Sequence, residues 1–283
     1  RYFELFRDHR MVCGQGLATK ENLATRRHYL NQQHCVEVML RSGVVPVVNE
    51  NDTVSVSELM FTDNDELSGL IATMADADAL VILSNIDGIY SGDPADPASQ
   101  VIERIEPDMD VSWCICSGRS SLGRGGMTTK YRIARKVAAE GIAVMIANGK
   151  REGVLTELLL DGSEARPPHT LFVPSGKRPS SLRKWIAHSD SFAKGALLVD
   201  EGAARAIRAG GASLLAVGLV GVEGDFERDD IVRVAAPDGG VVAWGRCAYS
   251  SAEAQAAAGR AGQSPLIHAD YMYVDETDIF RDV

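Results

Sequence analysis

Two loops rich in carboxylates and carboxamides stand out in the sequence. Asn49-Glu50-Asn51-Asp52 follows directly on the apolar run Val44–Val48, and Thr62-Asp63-Asn64-Asp65-Glu66 comes shortly after. Asn and Asp form strands and helices poorly because their side chains compete for backbone hydrogen bonds, so both clusters are expected to be loops. Paired polar loops at the end of a buried strand can bind a polar ligand; taken singly, each is equally the composition of a solvated turn. A third stretch has the opposite character. Gly118-Arg119-Ser120-Ser121-Leu122-Gly123-Arg124-Gly125-Gly126-Met127-Thr128-Thr129-Lys130 is glycine-rich and basic, and leads into a helical pattern. Glycines let backbone approach a ligand, and a helix start presents free N–H groups and a positive dipole end to phosphate. Two hydroxyls and a lysine add donors and a point charge. The glycine spacing is not that of the P-loop, and the plain alternative is a flexible basic loop before an ordinary helix. Phosphate donors on one loop and carboxylates on others suit phosphoryl transfer with a divalent cation, where positioning and charge neutralisation do most of the catalysis. The carboxylates can then hold magnesium, orient the lysine or bind an ammonium group on the acceptor.

The elements that must position these loops read as an α/β domain. Residues 1–10 continue a helix and Met11-Val12-Cys13 starts a short strand. Glu21 to Arg41 has helical spacing, with Leu30, Val36, Met39 and Leu40 as the apolar positions. Val44–Val48 is a β-branched strand despite Pro46, which lacks a ladder donor. Glu66 to Ala77 is a helix with Leu67, Leu70, Ile71 and Met74 on one face. Ala79–Leu83 and Ile142–Ile146 are continuous apolar runs, expected for strands covered on both faces; Met127–Ala139 is the helix between them. Short connections between strands and helices predict a mainly parallel sheet in a three-layer sandwich. Ligands bind beyond the carboxyl ends of such strands. Asn49–Asp52, Ser84–Gly88 and Asn148–Lys150 are therefore expected on one rim. Asp161 to Arg178, with Pro167, Pro168 and Pro174, reads as a linker. Beyond Lys194, Asp200 should cap a helix to Arg208, and short runs at Leu214–Val222, Ile231–Val234 and Val241–Trp244 predict a small, mostly β domain.

The totals exclude several classes. The chain has 283 residues, enough for two domains, and a net charge of −10. The part from Pro174 onward carries a net −3 and the part before it −7, which disfavours nucleic-acid binding in either half. No apolar run reaches the length of a membrane span. Five cysteines without framework spacing point to reduced thiols in the cytoplasm, and Cys114-x-Cys116 is too tight for a zinc pair. Trp113, Trp185 and Trp244 read as packing residues, and Arg26-Arg27 as surface charge.

At this point the motifs are recognisable. VPVVNEND, TDNDELSGLIA, LSNIDGIYSGDP and GRGGMTTK, in this order and spacing, closely resemble the glutamate 5-kinase family of the amino acid kinase superfamily, and VDEGAARAI resembles that family's C-terminal PUA domain. The resemblance implies the amino acid kinase fold over residues 1–173, a linker over 174–190 and a PUA-like domain over 191–283. It implies phosphorylation of the γ-carboxylate of L-glutamate by ATP with Mg²⁺, giving glutamyl 5-phosphate for proline synthesis, with proline as feedback inhibitor and a homo-oligomeric assembly. By resemblance, Asn49, Asp52, Asp63 and Asn64 contact glutamate. Asp65 organises the reacting centre, and Lys130 stabilises the transferring phosphoryl group. Ser84, Asn85, Arg124, Gly125, Gly126, Met127, Thr128, Thr129 and Lys130 contact ATP. Ser84-Asn85 stands where the family commonly has Thr-Asp, and Arg124 where it has a smaller residue. The family's first glycine-rich turn with its lysine, and its Ser-Gly-Ala loop, are not among these residues. Arg1-Tyr2-Phe3 also reads as the middle of a helix, so an upstream segment is expected, and the 283-residue chain by itself is expected to be nearly inactive. Alternatives are another amino acid kinase, acting on aspartate, acetylglutamate, carbamate or a nucleoside monophosphate, and an RNA-binding protein acting through the PUA-like domain.

Overall fold

A computed structural model of the chain describes residues 1–20, 23, 25–51, 53, 64–116, 126–160, 166–176, 179–189 and 193–274. They fall into two units, one of Arg1–Met60 with Ser180–Val283, the other of Phe61–Pro179.

The first unit begins with α1 (Tyr2–Asp8), β1 (Val12–Ala18), α2 (Arg26–Arg41) and β2 (Val44–Glu50). β1 and β2 pair in parallel, with Gly14 opposite Pro46. Among the described residues β2 pairs on one side only, an edge setting that tolerates a residue without an N–H. A Cβ on Gly14 would sit 3.2 Å from both Met39 Sδ and Val44 Cγ1, so the missing side chain lets α2 close onto β1. Thr25 caps α2 by accepting the His28 N–H at 3.3 Å in an extended conformation, which puts the regular start of this helix at Arg26 rather than Glu21. Its buried residues are Tyr29 and Val36, whereas Leu30 and Leu40, expected inward, are exposed.

The rest of this unit contains α7 (Ser181–Ala187), β7 (Gly195–Val199), α8 (Glu201–Arg208), β8 (Leu219–Gly224), β9 (Ile231–Ala235), β10 (Val241–Arg246), α9 (Ser251–Ala257) and β11 (Met272–Val274). The sheet order is β11-β10-β9-β7-β8, antiparallel except for β7 against β9. Leu197, Val232, Val234, Val242 and Ile267 fill its core. Asp200 caps α8 as expected, accepting the Ala203 N–H at 2.7 Å. The expected 174–190 linker includes the ordered helix α7, which lies against β10 and β11. Its Trp185 is 1% exposed, donates Nε1–H to the Leu23 carbonyl at 3.0 Å and packs 6.4 Å from the Tyr29 ring. Arg26, expected as surface charge, stacks over both rings and donates to Ser181 Oγ at 2.8 Å; burial pushes its pKa down. Trp244 is buried as expected, but Trp113 is 64% exposed.

Ser250 and Glu253 form a capping box on α9, and Arg228 Nε donates to Glu253 at 2.9 Å. The Arg228 hydrogen bond, with the Ser250 backbone N–H, holds the Glu253 carboxyl down at about 2. A carboxyl depressed in the folded state stabilises above its unfolded pKa, about 4.3, and that contribution is lost as pH falls through the folded value. The Tm gap between the parent and Glu253→Gln is therefore expected to be constant above about pH 5 and to close toward about pH 2. Calorimetric melting across that range checks it.

The second unit holds α3 (Asn64–Met74), β3 (Ala79–Ser84), β4 (Arg104–Ile105), α4 (Ser112–Cys116), α5 (Met127–Ala139), β5 (Ala143–Asn148), α6 (Val154–Leu159) and β6 (His169–Phe172). The sheet order is β3-β5-β6-β4. β3 and β5 run parallel, β5 and β6 antiparallel. The proline-rich stretch expected as a linker thus supplies β6, whose residues alternate between partly and fully buried. α3 ends at Met74 rather than Ala77, because Asp76 takes a left-handed φ of 50° that a helix cannot continue through. Ile82, Ile105, Val137, Val144, Ile146 and Phe172 form the core. Among the described residues β3 is at the end of its sheet order, and Leu83, in a run expected to be covered on both faces, is exposed.

Gly88, in the turn after β3, meets this core most closely. A Cβ there would lie 2.5 Å from Thr170 Oγ1 and 2.9 Å from Val101 Cγ1. Thr170 is fully buried, and its Oγ1 accepts the Ile89 N–H at 2.8 Å. Gly88→Ala is therefore expected to destabilise by about 1–3 kcal/mol through overpacking, read as a lower midpoint in urea unfolding.

Candidate active site

The sequence places Asp65 in the first turn of α3 and Lys130 in the first turn of α5, and the two helices pack against each other. Apolar residues fix that packing: Leu67, Leu70 and Met74 turn inward from α3, and Ile133, Ala134 and Val137 from α5. The helix starts are thereby brought together. Lys130 Nζ donates to Asp65 Oδ2 at 2.6 Å, with both side chains about seven-eighths buried, at 14% and 15% exposure. An acidic residue suits the positive end of a helix, whereas a lysine there is opposed by the dipole. Asp65 offsets that opposition for Lys130. The ammonium has three donors and gives one to Asp65.

Gly126 is the N-cap of α5, with φ −69° and ψ 168°, and among the described residues no side chain caps the helix. Its carbonyl accepts from Thr129 N at 3.1 Å and Lys130 N at 3.3 Å. Met127, Thr128 and Thr129 form the first turn, with Thr128 exposed. An uncapped helix start beside a lysine is suited to an anion. Arg124 and Gly125 lie outside the described residues, as do Asp52 and Asp63.

Asn64 is the first residue of α3 and is exposed, next to Asp65. Asn49 is exposed near the end of β2 in the other unit, in register with Leu17. Ser84 ends β3, and its Oγ lies 3.4 Å from Asn85 Oδ1. Of the three loops expected on one rim, two are joined directly: Ser84 is in register with Asn148, and Gly149 N donates to the Ser84 carbonyl at 2.8 Å. Asp87, within the expected Ser84–Gly88 loop, ties the two together. Its Oδ1 accepts from Asn148 Nδ2 at 3.0 Å, and its Oδ2 from the Tyr90 hydroxyl at 3.4 Å. Asp87 stood in one of the motifs and Asn148 in an expected rim loop, but only the pairing of β3 with β5 reveals that they meet.

Among the described residues, no group of three or more His, Cys, Asp or Glu side chains is placed to hold a metal ion. Cys13, Cys35, Cys114 and Cys247 are unbridged; burial pushes the Cys247 thiol up to about 11, which makes it an inert core group. No helix among the described residues is long and apolar enough to cross a membrane.

Comparison with known proteins adds identity to this geometry. Residues 1–148 match the amino acid kinase family, and residues 195–266 match the PUA domain. The glutamate 5-kinase of Bacteroides thetaiotaomicron is 56% identical over 97% of this chain and 76% of its own length. That of Chlorobaculum tepidum is 43% identical over 96% of this chain and 74% of its own. Among solved structures, an isopentenyl phosphate kinase substrate complex superposes with a TM-score of 0.42 at 17% identity, over 60% of this chain and 63% of that one.

Proposed function

We propose a division of labour within the active site from the premise that this chain belongs to the glutamate 5-kinase family. The reaction of that family transfers the γ-phosphoryl group of ATP to the γ-carboxylate of L-glutamate and opens proline biosynthesis. The acceptor is a carboxylate with an ordinary pKa near 4.3, so it is already ionised at neutral pH and no base need remove a proton. The chemical problem is to bring this anion against a triphosphate. The Asp65–Lys130 pair is the observation that carries the assignment: a mostly buried cation at two converging helix starts, engaged by the Asp65 carboxylate. Lys130 stabilises charge on the transferring phosphoryl oxygens. Asp65 orients Lys130 and offsets its charge until the phosphates arrive. The α5 start, Gly126–Thr129 with Arg124 and Gly125, cradles the phosphates, and Ser84 and Asn85 contact the nucleotide. Asn49, Asp52, Asp63 and Asn64 hold the amino acid.

Mg²⁺ fits this donor set as an ion that arrives with ATP, since it is commonly held by substrate phosphates and one or two carboxylates. Asp65 is a hard oxygen donor of the required class. When bound, the ion neutralises charge on the β- and γ-phosphates.

We assign residues 1–173 to the kinase domain, 174–190 to a connection that includes α7, and 191–283 to the PUA-like domain, with a cytoplasmic, homo-oligomeric, proline-inhibited enzyme as the working assembly. The PUA-like domain acts in regulation or assembly rather than on RNA, in keeping with the net charge of −3 carried by the part of the chain from Pro174 onward. Removing residues 191–283 should alter proline inhibition or oligomeric state; no change in either overturns that role, as would a gel shift of structured RNA at physiological salt.

The activity is tested on protein expressed from its complete coding sequence, with ATP and glutamate, aspartate or acetylglutamate side by side and hydroxylamine as trap. An acyl phosphate gives a hydroxamate. Hydroxamate with glutamate alone is expected; equal yield with another acceptor overturns the substrate assignment.

A further inference from the structure

The turn from Ser84 to Tyr90 is braced from three directions. At its start, Ser84 lies in the parallel ladder opposite Asn148, and its carbonyl accepts the Gly149 N–H at 2.8 Å. At its end, Ile89 N donates to buried Thr170 Oγ1 at 2.8 Å, against which Gly88 is packed too closely for any side chain. Between them stands Asp87, with both carboxylate oxygens engaged: Oδ1 by Asn148 Nδ2 at 3.0 Å and Oδ2 by the Tyr90 hydroxyl at 3.4 Å. Burial, and then the Asp87 charge, push the Tyr90 hydroxyl above the ordinary phenol range, so it stays a donor at working pH. Asn148 is fixed in turn, because its Oδ1 accepts the Lys150 N–H at 3.0 Å. The amide of Asn148 thus has one way to face, with its NH₂ toward Asp87.

We propose that Asp87 and Asn148 are a positioning pair that locks the β3 and β5 loops together and so sets the placement of Ser84 and Asn85 for ATP. This rests on the assignment of Ser84 and Asn85 to the nucleotide. The pair touches no reacting atom. Its effect belongs to ATP affinity rather than to glutamate binding or the transfer step.

The chemistry of the pair allows a swap. Asn148→Asp alone sets a second carboxylate where a donor stood 3.0 Å from Asp87, so the loops are pushed apart. Asp87→Asn with Asn148→Asp restores a donor facing an acceptor. The new amide at position 87 keeps its oxygen for Tyr90, and the new carboxylate at position 148 still accepts the Lys150 N–H. For protein expressed from the complete coding sequence, Asn148→Asp is expected to raise KM for ATP about tenfold. KM for glutamate should stay within about twofold, and the swapped double variant should return KM for ATP to within about twofold of the parent. An unchanged KM for ATP in Asn148→Asp, equal movement of both KM values, or a swap that fails to restore, overturns the proposal. If Asn148→Asp does not fold, Asp87→Ser and Asn148→Ser against the swap carry the same test. Ser84→Ala with Asn85→Ala separates the two levels. If it leaves KM for ATP unmoved, the nucleotide assignment itself fails; if it raises KM for ATP while Asn148→Asp does not, only the positioning pair fails.

Discussion

Lys130→Met is expected to lower kcat by about 10²–10³-fold while leaving KM for glutamate nearly unchanged. The reason is where the lysine sits. Its ammonium is mostly buried, fixed by Asp65 at 2.6 Å, and placed at the start of α5. A cation held in place before the reaction costs no reorganisation when charge develops on the phosphoryl oxygens. Methionine keeps the length and apolar stem but offers no donor and no charge. Asp65→Asn keeps an acceptor for Lys130 and removes the charge that holds it, so a smaller fall, about 10–100-fold, is expected. The two residues act as one unit, and the double variant should be little worse than Lys130→Met alone. Hydroxamate formation under saturating ATP measures all three. A Lys130→Met enzyme with kcat within about threefold of the parent would remove the lysine from the transfer step.

The second large effect concerns stability. Trp185→Ala is expected to cost about 3–5 kcal/mol in the unit formed by Arg1–Met60 and Ser180–Val283. The indole is 1% exposed, packs on Tyr29, lies under Arg26 and satisfies the Leu23 carbonyl. Truncation leaves a cavity, strands a buried carbonyl and strips the packing from the Arg26 guanidinium. For a unit of this size the loss corresponds to a Tm lower by roughly 10 °C. Trp185→Phe keeps most of the volume but not the N–H, and should lose about 1–3 kcal/mol. Calorimetry on the two variants separates the packing loss from the hydrogen bond. A Trp185→Ala protein melting within about 2 °C of the parent would show that α7 does not hold this unit together.

Much of this protein was legible as residue pattern. Met127–Ala139 is a helix over the expected span, and Asp200 caps α8 at the expected position. Both follow from local causes: apolar spacing in one case, a short side chain that accepts a free N–H in the other. The family was legible as well, because four motifs in fixed order and spacing leave few alternatives. Asp65 and Lys130 were singled out by type.

Other features came from contacts between residues far apart in the chain. Nothing local to His169–Phe172 marks it as a strand beside three prolines; its partner β5 does. Arg26 reads as a surface charge until Trp185, from a stretch read as linker, arrives beneath it. Leu30 and Leu40 have the right spacing for a core face, but α2 turns Tyr29 and Val36 inward, with Trp185 of α7 packed on Tyr29 and β2 against the helix. Asp87 and Asn148 are plain polar loop residues in the sequence, and only the parallel pairing of β3 with β5 brings them to 3.0 Å. Residue types and motif order were enough to indicate the chemistry on offer and the reaction class. Tertiary structure decided which charges meet, as with Asp65 and Lys130, because helix starts converge only once the apolar faces of α3 and α5 have packed.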